Sequence, residues 1–462
     1  MKESNVLSSA ERGGGWSARR VNRSATQLFL YCFLGYACSY IGRKNLSACV
    51  PAMIEEGLLT KIDAGTVTTV YMICYGLGQL VSGVLATKIK PKYMIGIGLG
   101  GAGLCNLAMG LVPSSLWMPL IWGCNGIFHS MLWAPIIRCF TDLLPHDRSV
   151  RAGTNIAVSA PVGTVLAFLI PGIVLKFASW RSVFYIAGGM LLVACLIWVL
   201  GNVFLKDYVR MMEERCYAER AELRDERPVL RAEQDDREPS AGKHPRRSAR
   251  PSLITVWIAS GLWMILFGLF CNGALRDAVE VWAPTFLAEQ FKLDSFMAAL
   301  ISVIIPVVST AGTYVAHWLH TRLIRNELYT AGIMFGVAIA CICGLLLSMH
   351  VSAWVSVCLI AVSVSAMWGA NHMFLTVIPY HFARYGMSAA VTGFLNSVIY
   401  FSTALCSWFY GFLASRIDWT FLTVVWLAVG VVGVLACGVC GFFWARKSAR
   451  LDEGILRTDE KK

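Results

Sequence analysis

Apolar runs of about 20 residues or more recur along the whole 462-residue chain. A run of that length is what a helix needs to cross roughly 30 Å of hydrocarbon. Twelve of them read as membrane spans, at 26–50, 64–87, 92–112, 116–140, 153–176, 181–204, 256–288, 295–320, 328–349, 353–378, 388–415 and 420–445. The composition agrees, with 56% apolar and 15% charged residues and a mean hydropathy of +0.60. A soluble domain carries roughly 25% charge to cover its surface. A membrane β-barrel is excluded as well, because its strands are short and alternate in polarity. The expectation is an all-α polytopic membrane protein.

The first 25 residues are polar and basic, with Arg12, Arg19, Arg20 and Arg23. The apolar run behind them is too long for a signal peptide, so it reads as the first span. The 16 cysteines fall mostly inside apolar runs, as Cys437 and Cys440 do. There they act as small hydrophobes, and no disulfide framework is expected. The net charge of +12 follows membrane topology, since the cations crowd loops beside spans, and nucleic acid is not expected as a partner.

Those cations also set the orientation. One side holds the N-terminus, Lys88, Lys90, Lys92, Arg148, Arg151, Arg322, Arg325, Arg384, Arg446, Lys447 and Arg450. The other holds Lys61, Lys176, Arg181, Lys292 and Arg416. The first side is therefore expected in the cytoplasm, with both termini. A multi-pass protein of a prokaryotic cytoplasmic (inner) membrane is the expected setting.

A polar segment from Lys206 to Pro251 divides the chain. The expected organisation is an N-terminal tail (1–25), a six-helix bundle (26–205), a cytoplasmic central loop (206–251), a second six-helix bundle (252–446) and a C-terminal tail (447–462). Within the loop, Met211 to Leu223 reads as an amphipathic surface helix and the remainder as a disordered linker.

The halves repeat a local pattern. Arg43 in the first span and Arg276 in the seventh are each followed eight positions later by a proline, Pro51 and Pro284. Trp180 and Trp419 each open the last span of their half. Two six-helix bundles related by a pseudo-two-fold along the membrane normal resemble the architecture of the major facilitator superfamily, in which substrate sits near the midplane between the bundles.

Arg43 lies roughly 17 residues into its span, inside the apolar zone at about 1.5 Å per residue. An arginine at that depth costs on the order of 2.5–3.5 kcal/mol and should face protein or a water-filled cavity. Arg276 is comparably deep. Guanidinium grips phosphate with two parallel hydrogen bonds and keeps its proton. Two such forks, one per bundle, would converge on a dianionic group. The alternative is a structural ion pair. Glu280, at i+4 from Arg276, is a candidate partner, and Asp277 adjoins it. Arg43 has no acid within helical reach, since Glu55 and Glu56 are too far along.

The segment Tyr36, Tyr40, Arg43, Lys44, Asn45 closely resembles the first span of the organophosphate:phosphate antiporters, which carry glycerol 3-phosphate and hexose phosphates. Arg276 with Trp282, Pro284 and Thr285 resembles their seventh span, and Trp133, Pro135 and Arg138 their fourth. Tyr75, beside Gly76, and Tyr400 fall where that family has cavity tyrosines. The resemblance implies that Arg43 and Arg276 bind the phosphate, with Tyr36, Tyr40, Tyr75 and Tyr400 donating hydroxyls and Lys44 adding positive potential. For each tyrosine, interfacial packing is the competing reading. Arg138, at a span end, reads as a topology anchor or a loop-to-helix contact.

There are departures from the family pattern. Gln79 stands in place of a cavity lysine, Ala160 in place of a histidine found in some members, and Pro306 in place of an acid. The loop 86–90 lacks the superfamily's acidic partner. Asp277 and Glu280 are extra acids. Together these lower the site's positive charge. They motivate the hypothesis that the substrate carries less net charge, as a phosphodiester does, or has a cationic group that meets Glu280. Asn371, His372 and Asn396 are further candidate proton or polar sites, and His129 and Asn155 are polar residues of the first half. Interhelical hydrogen bonds are the commoner role for such residues.

The expected function is exchange of an organic phosphate for inorganic phosphate by alternating access, by a monomer. Two competing readings stay open. One is a proton-coupled carrier of another organic anion or solute, using Glu280 and Asp277. The other is a transporter-like sugar-phosphate sensor. No phosphate loop, zinc spacing or nucleophile triad stands out, so no enzyme, metal or cofactor is expected.

Overall fold

The computed structural model describes residues 17–144, 146–214, 262–382 and 388–452. Among these, twelve long helical segments follow one another. They are α1 (Ala18–Glu55), α2 (Lys61–Lys88), α3 (Pro91–Leu111), α4 (Ser115–Leu143), α5 (Ser159–Phe177), α6 (Trp180–Phe204), α7 (Leu266–Gln290), α8 (Ser295–Ile324), α9 (Glu327–Ser348), α10 (Ala353–Tyr380), α11 (Ser388–Arg416) and α12 (Trp419–Asp452). No strand occurs among the described residues. Nine of the twelve are long and apolar enough to cross a membrane on that basis alone. The three that fall short, α1, α2 and α7, are the ones that carry Arg43, Gln79 and Arg276.

Local chemistry sets the helix starts. Thr60 and Asp63 form a reciprocal capping box at the head of α2, which satisfies two otherwise orphaned backbone donors. Asn326 accepts from Leu328 and Tyr329 ahead of α9, and Asp294 caps α8 through Met297. Pro91 opens α3, where its missing N–H costs nothing. α1 extends to 38 residues, beyond the apolar run at both ends.

Two spans are less continuous than their hydropathy suggests. α4 breaks between Ser130 and Trp133, because Pro135 cannot donate to the Met131 carbonyl and its ring crowds it. Ahead of α5, a short helix (His146–Asn155) and one tight turn (Ile156–Val158) occupy the expected start of the fifth span. The polar linker continues as helix over 206–214, where Tyr208 donates to the Leu143 carbonyl at 2.8 Å and Lys90 pairs with Glu213 at 2.9 Å. The rest of the expected amphipathic helix, the start of the seventh span at 256–261 and Arg384 lie outside the described residues.

The packing repeats between halves. α1 packs on α5 as α7 does on α11, α2 on α4 as α8 does on α10, and α3 on α6 as α9 does on α12. Adding six to each helix number converts one bundle into the other. The bundles meet through α2 against α11, α5 against α8, and α1 against α7.

Candidate functional site

Two side-chain stripes build the first half of the site. On α1, Tyr36, Tyr40 and Arg43 stand at i, i+4 and i+7, and on α2, Tyr71, Tyr75 and Gln79 stand at i, i+4 and i+8. Such spacings put each set on one helix face. Where the faces meet, the Arg43 guanidinium lies 4.2 Å from the Tyr40 ring centroid and 5.0 Å from that of Tyr75. Arg43 donates to the Tyr75 hydroxyl at 3.2 Å, and Gln79 donates to the same oxygen at 2.6 Å. Tyr36 packs edge-on to Tyr40 at 5.4 Å and beside Trp133 at 5.2 Å. Tyr400 of α11 meets Tyr75 edge-on at 5.0 Å, so the second bundle contributes to the same aromatic box. Among the described residues no carboxylate pairs with Arg43.

Polar anchors hold this part of α1. The Gly42 carbonyl accepts from Asn106 at 2.9 Å and from Asn125 at 3.1 Å, and Asn45 donates to Asn106 at 3.0 Å. Buried amide hydrogen bonds of this kind fix the backbone position of α1.

The second half is organised differently. Arg276 is 4% exposed, Asp277 5% and Glu280 4%. Arg276 donates to both carboxylate oxygens of Asp277, at 3.1 and 2.5 Å, and its guanidinium lies 4.5 Å from the Trp368 ring centroid. Glu280 does not pair with Arg276. Its carboxylate accepts from Lys44 at 3.1 Å, joining α7 to α1 across the bundle interface. The neighbouring acid outcompetes the i+4 acid because it meets the guanidinium fork with two parallel bonds, while Glu280 is drawn to a cation that only the tertiary fold brings near. Asn272 anchors α7 one turn earlier, donating to the Met367 carbonyl at 2.7 Å.

Close contacts between the bundles gather toward one face. Lys61 bridges Glu289 at 2.6 Å and the Ala414 carbonyl at 2.8 Å, and Thr69 donates to the Ala404 carbonyl at 2.6 Å. A Cβ on Gly65 would sit 3.0 Å from the Ser407 carbonyl oxygen, so glycine is what lets α2 and α11 touch there. On the opposite seam Gly172 faces the Leu300 backbone and Lys176 lies over Phe296. A Cβ on Gly83 or Gly393 would touch nothing. The Lys61 face thus carries a cross-bundle ion pair and the close approach of α2 to α11.

The remaining candidates lie away from the arginines or serve packing. His372 meets His317 edge-on at 5.6 Å, Asn371 is buried with its side-chain oxygen unbonded among the described residues, and Asn396 is half-buried. His129 bonds the Asn125 carbonyl at 2.9 Å, and Asn155 is exposed. Arg138 bonds Asp142 at 3.0 Å and the carbonyls of Ala86 and Ile89, a loop-to-helix contact. Among the described residues no cluster of three metal-ligating side chains occurs.

Sequence reading missed Tyr71, Trp368 and the Lys61–Glu289 bridge. Tyr71 had a signal, one turn before Tyr75 on the same stripe. The other two depend on contacts between helices far apart in the chain. Trp180 and Trp419 gain a role that their position alone did not reveal. Their indoles donate to Glu56 and Glu289, each at 2.8 Å, so each ties the start of α6 or α12 to the end of α1 or α7.

Comparison with known proteins gives a consistent outcome. Residues 32–405 match the family described as Major Facilitator Superfamily. A protein of Chlamydia muridarum named as a probable hexose phosphate transport protein is 23% identical, covering 88% of this chain and 89% of the relative. The membrane sensor protein UhpC of Escherichia coli is also 23% identical, over 88% of this chain and 90% of its own. The crystal structure of a bacterial homologue of the human lysosomal transporter Spinster, inward-facing and unoccupied, superposes with a TM-score of 0.67 at 15% identity, covering 95% of this chain and 99% of that one.

Proposed function

The chain belongs to the Major Facilitator Superfamily, and from that membership we propose that it is a secondary transporter exchanging an organic phosphate ester for inorganic phosphate. The observation that carries this reading is Arg43, a charge set in the aromatic box between the bundles that makes no ion pair with a carboxylate among the described residues. A guanidinium so placed attracts an anion, and its fork matches phosphate. The relative that is named as a hexose phosphate transport protein supports the same substrate class.

In the proposed cycle the anion enters from the cytoplasmic side and docks on Arg43 with the hydroxyls of Tyr75 and Tyr40. Gln79, partly exposed beside Tyr75, meets the incoming ester. Lys44 and Arg276 keep their carboxylate partners Glu280 and Asp277 as the bundles close, so Arg43 is the charge that takes the phosphate. Closure on one side requires the Lys61–Glu289 bridge to open on the other, which is alternating access. An empty site leaves Arg43 uncompensated in a low-dielectric setting, which disfavours closure without cargo and favours exchange. The protein works as a monomer in a cytoplasmic membrane, both termini inside, with bundles at 26–205 and 252–446 joined by the loop 206–251.

A second reading is a sugar-phosphate sensor, favoured by the match to a membrane sensor protein at the same identity. Proteoliposomes preloaded with phosphate and given radiolabelled phosphate outside separate the readings. Exchange supports the transporter. Saturable phosphate-ester binding with no exchange supports the sensor. Uptake driven by a pH gradient without phosphate contradicts both and returns the proton-coupled carrier.

A further inference from the structure

The charges around the site do not balance, and the residue decides the cargo's charge. Arg43, Lys44 and Arg276 face Asp277 and Glu280. Three cations against two carboxylates leave one positive charge, and the pairing assigns it to Arg43. Lys44 is 7% exposed and committed to Glu280, and Arg276 is committed through both donors to Asp277. Gln79, whose amide reaches the Tyr75 hydroxyl beside Arg43, adds a dipole there and no charge.

Resting on the organophosphate reading above, we propose that the organic substrate is a monoanionic phosphodiester rather than a dianionic monoester. One diester charge neutralises Arg43 and leaves both ion pairs intact. A dianion leaves a net negative charge in the closed site, or must displace Asp277 or Glu280 and strand a carboxylate where water is scarce, which is heavily penalised. The surroundings fit a diester in a second way. An ester substituent on phosphate removes an acceptor oxygen and adds an apolar surface. The walls beside Arg43 are the rings of Tyr36, Tyr40, Tyr75 and Tyr400, with one hydroxyl in contact with the guanidinium. Exchange of a diester for dihydrogen phosphate moves one negative charge each way and is electroneutral.

The test is equilibrium binding to the full-length protein in detergent micelles at pH 7.5. The probes are sn-glycerol 3-phosphate and its methyl phosphodiester, which differ by one methyl group and one charge. A monoester is mostly dianionic at this pH, its second pKa being about 6. The proposal expects the diester to bind at least about tenfold more tightly, equivalent to roughly 1.4 kcal/mol. It also expects Asp277→Asn to narrow or reverse that preference, because removing one acid creates room for a second substrate charge. Glu280→Gln acts on the other pair and is expected to shift the preference in the same direction, so a poorly folded Asp277 variant does not block the test. Equal or tighter monoester binding by the wild type overturns the proposal and leaves the organophosphate reading standing. Binding of neither ester, with no binding of inorganic phosphate, overturns both.

Discussion

The two central helices, α1 and α7, share a skeleton and differ in electrostatics. Each carries a deep arginine with a proline eight positions on, each ends in a glutamate that accepts from a tryptophan of the last helix in its bundle, and each is pinned by a buried asparagine hydrogen bond. On α7 the arginine is sealed by its own neighbour Asp277, and Glu280 neutralises Lys44 of α1. On α1, Arg43 has aromatic rings and one tyrosine hydroxyl. The repeated skeleton serves the pseudo-two-fold packing. The α7 charges are all compensated, by each other and by Lys44 of α1, while Arg43 on α1 is left to a ligand. A charge that matters for stability and a charge that matters for binding therefore occupy corresponding positions.

The largest effect separating them is on stability. Glu280→Ala strands the buried Lys44 charge and is expected to destabilise by about 3–5 kcal/mol. The paired change Lys44→Met with Glu280→Leu restores stability to near the wild type, since neither charge is then left alone. Arg43→Met orphans no carboxylate and should cost little. Unfolding of the micelle-solubilised variants measures all three, and a large loss in the Arg43 variant would break the comparison.

Next in size is the Arg276–Asp277 pair. Arg276→Gln leaves Asp277 uncompensated and is expected to cost about 3 kcal/mol, while the added change Asp277→Asn recovers most of it. A double-mutant cycle on thermal unfolding reports the coupling, and additive losses would show that the pair is not the sink for the Arg276 charge.

The tryptophan anchors sharpen the symmetric part of the comparison. Trp180→Phe and Trp419→Phe each lose one hydrogen bond to a partly exposed carboxylate, at about 1 kcal/mol apiece. Trp419 also lies 5.4 Å from Lys61, so its variant is expected to loosen the sealed face as well. Cysteine labelling at Thr69→Cys, at the same α2–α11 contact, detects that opening, and equal labelling in the two variants would remove Trp419 from the seal.

The smallest expected effect is on the aromatic box. Tyr75→Phe removes the hydroxyl shared by Arg43 and Gln79 and should raise the KM for phosphate about fivefold, equivalent to roughly 1 kcal/mol. Tyr400 contributes its ring, so Tyr400→Phe should change KM by less than about twofold. Transport kinetics in proteoliposomes compare them, and equal effects would contradict the hydroxyl's role.

What the sequence made legible follows the range of the interactions. Helical runs are set by local apolarity and capping, so all twelve spans could be read, with errors where a proline or a polar turn interrupts the hydropathy, as at Pro135 and Asn155. Arg43 and Arg276 stood out because charge inside an apolar run is costly. The tyrosines of α1 came from the resemblance of the first span to the antiporter family. Which acid neutralises which cation could not be read. Glu280 sits one turn from Arg276, yet it pairs with Lys44, 236 positions away, and the Lys61–Glu289 bridge also joins distant helices. Periodicity carries no information about how two bundles dock.

The central claim is that Arg43 anchors the anion while Arg276 is held in an ion pair. Phosphate exchange in proteoliposomes tests it by comparing Arg43→Gln with the doubly neutral Arg276→Gln/Asp277→Asn, both at matched protein incorporation. The account predicts loss of exchange by at least about 100-fold in the first, equivalent to roughly 2.7 kcal/mol, and readily measurable exchange in the second. Robust exchange by Arg43→Gln, or an equal loss in both, would contradict it.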